Sequence, residues 1–188
     1  MQTTKKGFTL VELLIVIGIL AILSTAAVLV INPAQLLAQS RDSKRMSDIT
    51  ALNTALSLYV TDVASPDLDG ANADNCTPTA AAAGDGFTAV APTTASFANV
   101  DVSVVDATTE NNGSGWLPVN FTAISSGSPI AALPTDPTNS GDLVYRYGCS
   151  GTSYELNVQF ESTKFTGRHS GDGGDSGSFY EVGSNLSL

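Results

Sequence analysis

The stretch GFTLVELLIVIGILAILSTAAVLVI, Gly7 to Ile31, limits what this chain can become more than any other part of it. From Phe8 onward it is apolar except for Thr9, Glu12, Ser24 and Thr25, and it contains no proline. As a helix, these roughly 24 residues would be about 36 Å long at 1.5 Å per residue. A bilayer's hydrocarbon core is about 30 Å thick. The segment is therefore expected to span a membrane with some tilt. Its one charge, Glu12, is anomalous. A carboxylate in an apolar helix costs roughly 2.5–3.5 kcal/mol at the bilayer centre and less near an end. No Lys or Arg lies within the apolar run, so a partner for Glu12 has to come from elsewhere. A secretory signal has a shorter apolar core followed by a small-residue cut site. Ser24-Thr25-Ala26 is only a weak version of such a site.

The residues around this run carry a resemblance. A short basic leader ends in Lys5-Lys6, Gly7 follows, Phe8 comes next, and Glu12 lies four residues after Phe8. This arrangement resembles the N-terminus of type IV prepilins and of the pseudopilins of type II secretion. The resemblance covers only the first part of the chain, and it identifies the superfamily better than the member. It implies that a membrane prepilin peptidase cuts between Gly7 and Phe8 on the cytoplasmic side and methylates the Phe8 amine. It also implies that Glu12 pairs with the Phe8 amine of a neighbouring subunit during assembly. A buried acid satisfied only in the assembly would reward correct register, as buried polar groups do in other assemblies. The implied partners are further copies of the chain in a helical homopolymer, the prepilin peptidase, the pilus assembly ATPase and the inner-membrane platform protein. The implied location is the bacterial inner membrane as a single-pass precursor, then an extracellular filament. The N-in orientation rests on the resemblance, because Lys5 and Lys6 before the span are balanced by Arg41, Lys44 and Arg45 after it.

The 188 residues suit one helical stalk and one small globular head. Lys+Arg number 8 and Asp+Glu 18, a net charge of −10. General nucleic-acid binding is not expected, since phosphate-backbone contact needs clustered cations. Two cysteines, Cys76 and Cys149, are expected to form a disulfide if the C-terminal part is extracytoplasmic.

Along the chain, 1–7 reads as leader and 8–63 as the N-terminal helix, with 8–31 as membrane span and filament core and 34–63 as amphipathic stalk. Loosening is expected between Gly18 and Pro33. Met46, Ile49, Leu52, Leu56, Tyr59 and Val63 recur every three or four residues and form one helical face. Arg41, Lys44 and Arg45 are either a solvated face paired with Asp42 and Asp48 or an inter-subunit contact. Residues 64–115 read as a variable loop region with a strand at Val100–Val105, and Cys76 ties it down. Asn75-Cys76-Thr77 and Asn112-Gly113-Ser114 fit the glycan-acceptor pattern. Residues 116–188 read as antiparallel sheet and C-terminal loop. Trp116–Ala123 is expected as an edge strand because of Pro118. Leu143–Cys149 and Ser153–Glu161 form a hairpin. In its second strand Tyr154, Leu156, Val158 and Phe160 alternate with Glu155, Asn157, Gln159 and Glu161, the mark of a half-buried strand.

The fold expected is α+β: a long N-terminal transmembrane and stalk helix packed on a small antiparallel sheet of three to five strands. The resemblance extends this to a type IV pilin-like head. It also implies a calcium-holding loop near the end in the major pseudopilin. Here Asp172 and Asp175, with Ser176 and backbone carbonyls, could supply oxygens, and a solvated turn is the plainer alternative. No enzyme is expected. His169 sits alone in a Gly-rich loop, and no nucleophile elbow, P-loop or dinucleotide fingerprint occurs. The function expected is that of a structural subunit, the major pilin, of a bacterial type IV pilus serving adhesion, motility or DNA uptake. The alternatives are a pseudopilin or minor pilin, or a tethered binding module that does not polymerise.

Overall fold

The computed structural model describes residues 7–70, 76, 85–93, 96–97 and 100–188. The chain divides into two compact units, one ending at Ala38 and the other running Gln39–Leu188.

The first unit is helical. Helix α1 spans Leu10–Ile31 and runs unbroken through Gly18. Thr25 returns its hydroxyl to the Ala21 carbonyl at 2.9 Å, which satisfies that hydroxyl without an outside partner. The helix is apolar on all sides, its large side chains are exposed, and it is long and apolar enough to cross a membrane. The expected loosening falls at one residue. Asn32 adopts the left-handed conformation (φ 47°, ψ 77°) and donates its N–H to the Val28 carbonyl. Pro33 then opens helix α2, Pro33–Asp62. A first-turn proline lacks an N–H that would be unsatisfied there in any case. The Asn32 side chain accepts from the Gln35 N–H at 3.3 Å and serves the new helix start.

In the second unit, the α2 residues Ile49, Leu52, Leu56 and Tyr59 are fully or nearly fully buried, flanked by partly buried Met46 and Val63. They pack on a sheet whose six described strands are β1 (Asp85–Thr88), β2 (Ser96–Phe97), β3 (Val100–Val105), β4 (Arg146–Ser150), β5 (Ser153–Val158) and β6 (Tyr180–Gly183). The spatial order is β2-β3-β1-β4-β5-β6. Strands β1, β4, β5 and β6 form an antiparallel core, and β1 pairs with β3 in parallel. The sheet thus exceeds the three to five strands expected and is not wholly antiparallel. Three strands are not foreseen in the sequence, β1 (DGFT), β2 (SF) and β6 (YEVG), each too brief to show a period.

The β4–β5 hairpin turns at Gly151-Thr152, with Gly151 at φ 60° and Ser150 opposite Ser153. This register places Tyr147, Leu156 and Val182 in one row facing the core shared with α2. The expected meeting of the Tyr154–Phe160 row with the Met46–Val63 face is present in that core. The other face of the sheet corrects the half-buried reading. Arg146, Glu155, Asn157 and Glu181 are all buried there. The C-terminal segment covers them. The Phe179 ring lies 4.3 Å from the Arg146 guanidinium carbon, and the Leu188 N–H donates to Glu155 at 3.1 Å. Gly174 lies so close to the Glu181 carboxylate that a Cβ there would collide with it. An alternating strand looks half-solvated in sequence when the segment that covers its polar row lies far along the chain.

Trp116–Ala123 is not a strand. Trp116 is buried and donates its indole N–H to the Pro134 carbonyl at 3.0 Å, and Phe121–Ala123 forms a 3-10 turn. With Pro118 unable to donate, the segment packs by side chains and a bridge between Asn112 and Asn120. Cys76 and Cys149 are joined in a disulfide, their Cα atoms 5.0 Å apart, which fixes residue 76 to β4.

Candidate assembly and processing site

The start of α1 is built from four residues. Thr9 is the N-cap, with extended backbone (φ −83°, ψ 151°), and its hydroxyl accepts from the Glu12 N–H at 3.3 Å. Glu12 reaches back: its Oε2 accepts from the Thr9 N–H at 2.9 Å and from the Thr9 hydroxyl at 2.8 Å. This reciprocal capping box satisfies donors that a helix start leaves orphaned and puts an acid at the positive end of the helix dipole. Both bonds fall on Oε2, and among the described residues no ion pair involves Glu12. Gly7 and Phe8 precede the cap, outside the helix. Phe8 is 80% exposed, and no atom lies within 4 Å of where a Gly7 Cβ would stand. The peptide between them is therefore open. The basic part of the leader lies outside the described residues.

The cations after the span are resolved by the structure. Lys44 pairs with Asp48 at 2.7 Å as a solvated i,i+4 bridge. Arg41 pairs with Glu161. Arg45 is not a surface residue at all: it and Asp42 are fully buried. Its guanidinium holds Asp136 bidentately at 2.6 and 2.8 Å, Asp42 at 2.8 Å, Glu161 at 2.5 Å and Thr138 at 3.0 Å. Asp42 in turn accepts from the Glu161 and Ser162 N–H groups and the Ser162 hydroxyl. Burial opposes the Arg45 charge, but Asp136, Glu161 and Asp42 together raise its pKa above the ordinary value. The hydrogen bonds of Arg41, and then those of Arg45, hold Glu161 down to about 2. The sequence signal for this network is slight: an Arg three residues after an Asp on the helix, and a Pro-Thr-Asp-Pro connector far away.

At the C-terminal end, Asp172 and Asp175 form a hydrogen-bonded turn. Asp172 accepts from the Gly174 N–H at 3.0 Å and from the Glu181 N–H at 2.7 Å, and Asp175 is exposed. Ser176 donates its N–H to Glu181 at 2.9 Å. Among the described residues no group of three or more His, Cys, Asp or Glu side chains could hold a metal ion. Glu181 and Glu155 are diagonal neighbours across β5 and β6. Burial, together with the neighbouring Glu155 charge, pushes Glu181 up to about 8, and burial raises Glu155 as well. His169, alone in its Gly-rich loop, is buried. It stacks on Phe160 with ring centroids 5.4 Å apart and accepts from the Phe160 N–H at 3.1 Å, so it serves the fold.

An exposed apolar helix with an acid at its N-terminus, followed by an α+β head, is a pilin-like architecture. Residues 3–28 match the family described as the prokaryotic N-terminal methylation motif. The chain is also 37% identical over 76 residues to the type IV major fimbrial protein FimA of Dichelobacter nodosus. That match covers 40% of this chain and 42% of the relative, so the chain spans about two fifths of the length of the curated relative it matches. No solved structure matches it.

Proposed function

We propose that this chain is a structural subunit, and specifically the major subunit, of a type IV pilus. It is cut between Gly7 and Phe8, methylated on the Phe8 amine and polymerised through α1. The observation that carries this reading is the exposed apolar helix with one acid, Glu12, whose partner among the described residues is the cap residue Thr9. Such a surface is costly in water and has two natural environments, a bilayer and a bundle of like helices. In the bilayer, Glu12 lies near the end of the span, where its cost is smaller. In the bundle, its Oε1 is available for the Phe8 amine of a neighbour. The filament grows open-ended because each copy meets the next through two different surfaces. The prepilin peptidase, an assembly ATPase and an inner-membrane platform protein act on the chain in turn. Similarity to a protein named as a major fimbrial protein favours the pilus over the pseudopilin assignment.

The test is Glu12→Ala in the native cells, read as sheared surface filament and as membrane-embedded chain. Filament yield is expected to collapse while membrane insertion and cutting at Phe8 persist. Filaments of normal yield would remove the role of Glu12. Correctly cut chains that never reach the sheared fraction in the wild type would replace the pilus with a pseudopilin or minor subunit.

A further inference from the structure

We propose that Asn112 is a site of N-linked glycosylation, with a polyprenyl-pyrophosphate-linked oligosaccharide as donor. The inference rests on the head facing the oxidising side of the membrane, as in the function proposed above. The Cys76–Cys149 bridge fits such a compartment.

The chain offers two adjacent asparagines that the structure treats oppositely. Asn111 is fastened inward: its side-chain amide donates to the Ser128 hydroxyl and to the Ile130 and Ala131 carbonyls at 3.1, 2.6 and 3.3 Å. Asn112 is exposed, as are Glu110 and Ser114 on either side. Asn112-Gly113-Ser114 is an acceptor sequon, and Asn111 does not begin one. The turn is already shaped. The Asn112 side-chain oxygen accepts from the Ser114 N–H at 3.0 Å, and Gly113 holds φ 91°, which glycine adopts freely. The Thr108 hydroxyl donates to the Ser114 carbonyl at 2.6 Å and steadies the base of the loop. Ser114, two residues after the asparagine, is exposed for a transferase to read.

Glu110 adds a second handle. It lies two residues before Asn112, and its Oε2 accepts from the Asn112 Nδ2 at 2.8 Å. Its carboxylate therefore sits at the acceptor nitrogen and presents an anion beside it for a cationic acceptor groove. In the reaction, Nδ2 attacks the anomeric carbon of the lipid-linked sugar. The new N–C bond forms as the bond from that carbon to the phosphate oxygen breaks. The polyprenyl pyrophosphate leaves with the bonding electrons, and one Nδ2 proton passes to a base of the transferase. No oxidant or reductant takes part. The other sequon places Asn75 outside the described residues.

The experiment is peptide mass spectrometry on the full chain from the envelope of native cells, for wild type, Asn112→Gln and Glu110→Gln. The same spectra read the N-terminus and the Cys76–Cys149 bridge. The expected result is one oligosaccharide on the peptide containing Asn112, absent from Asn112→Gln. Occupancy in Glu110→Gln should fall roughly tenfold, the loss of one charged contact. A chain that begins at Phe8 and is disulfide-bonded but carries no glycan at Asn112 overturns the inference alone. An amide-to-acid conversion at the Asn112-Gly113 step with no sugar attached overturns it too. Full occupancy in Glu110→Gln overturns the part given to Glu110. Reduced cysteines on an uncut chain overturn the underlying reading of the function.

Discussion

Arg45 is the residue whose loss the head should feel most. It is fully buried and is the cation shared by Asp136, Asp42 and Glu161. In Arg45→Met the replacement fills most of the volume of the aliphatic stem and removes five hydrogen bonds. Asp42 keeps its backbone and Ser162 donors, Asp136 keeps the Thr138 and Asn139 N–H groups, and Glu161 keeps Arg41. The remaining imbalance is two buried carboxylates without their cation. Breaking a buried pair in this way costs about 3–5 kcal/mol. With a urea slope of about 2 kcal/mol per molar, the unfolding midpoint should drop by about 1.5–2.5 M. The single tryptophan, Trp116, is buried in the head core and reports the transition by fluorescence. The measurement uses the full chain in detergent, with the disulfide intact. The partner variant Asp136→Asn should cost much less in the Arg45→Met background than in the wild type, because the orphaned charge is then already a burden. A midpoint shift under about 0.5 M, or costs that simply add, would refute the claim that the network holds the head together.

Three further outcomes follow from the same geometry. Glu161 is depressed to about 2, so the stability it contributes is present above its ordinary value near 4.5 and lost as pH falls through 2. Acid titration of the head should show this loss, shifted upward in Arg41→Met. Glu181 is raised to about 8, so its penalty on folding grows between pH 4.5 and 8. Glu181→Gln should therefore stabilise the head at pH 8 by a few kcal/mol in urea unfolding and have little effect at pH 4. Replacing both Cys76 and Cys149 by Ser frees a loop closed across 73 residues and should cost about 4 kcal/mol on the chain-entropy estimate, read as a lower urea midpoint.

Much of this molecule was legible from local pattern. The α1 span, the α2 apolar face, the β5 apolar row and the pairing of the two cysteines each depend on a short-range repeat or on composition. The cap at Thr9 and Glu12 follows the sequence signature of a capping box, although Glu12 draws attention first as a buried charge. What escaped depends on segments far apart in the chain. Arg45 reads as surface until Asp136 and Glu161, some ninety and more residues away, close over it. Glu155 and Asn157 read as solvent-facing until the last residues of the chain cover them. The Trp116–Ala123 segment has strand-like residues, but Pro118 and the burial of Trp116 by side-chain packing leave it without a ladder. His169 is buried by a nearer contact, the ring of Phe160 nine residues before it at the end of the hairpin.

The bridge between Cys76 and Cys149 also sets how far the chain can be drawn out under load. If the ends of the head are pulled apart until its strands separate, tension travels through the sulfur atoms and bypasses everything between them. The shielded stretch, 73 residues in sequence separation, would otherwise add roughly 250 Å of extended chain. A head that yields with its bridge intact therefore lengthens by much less than its residue count would suggest. If the chain polymerises as proposed above, that short slack keeps an opened subunit close to the neighbours it must refold against.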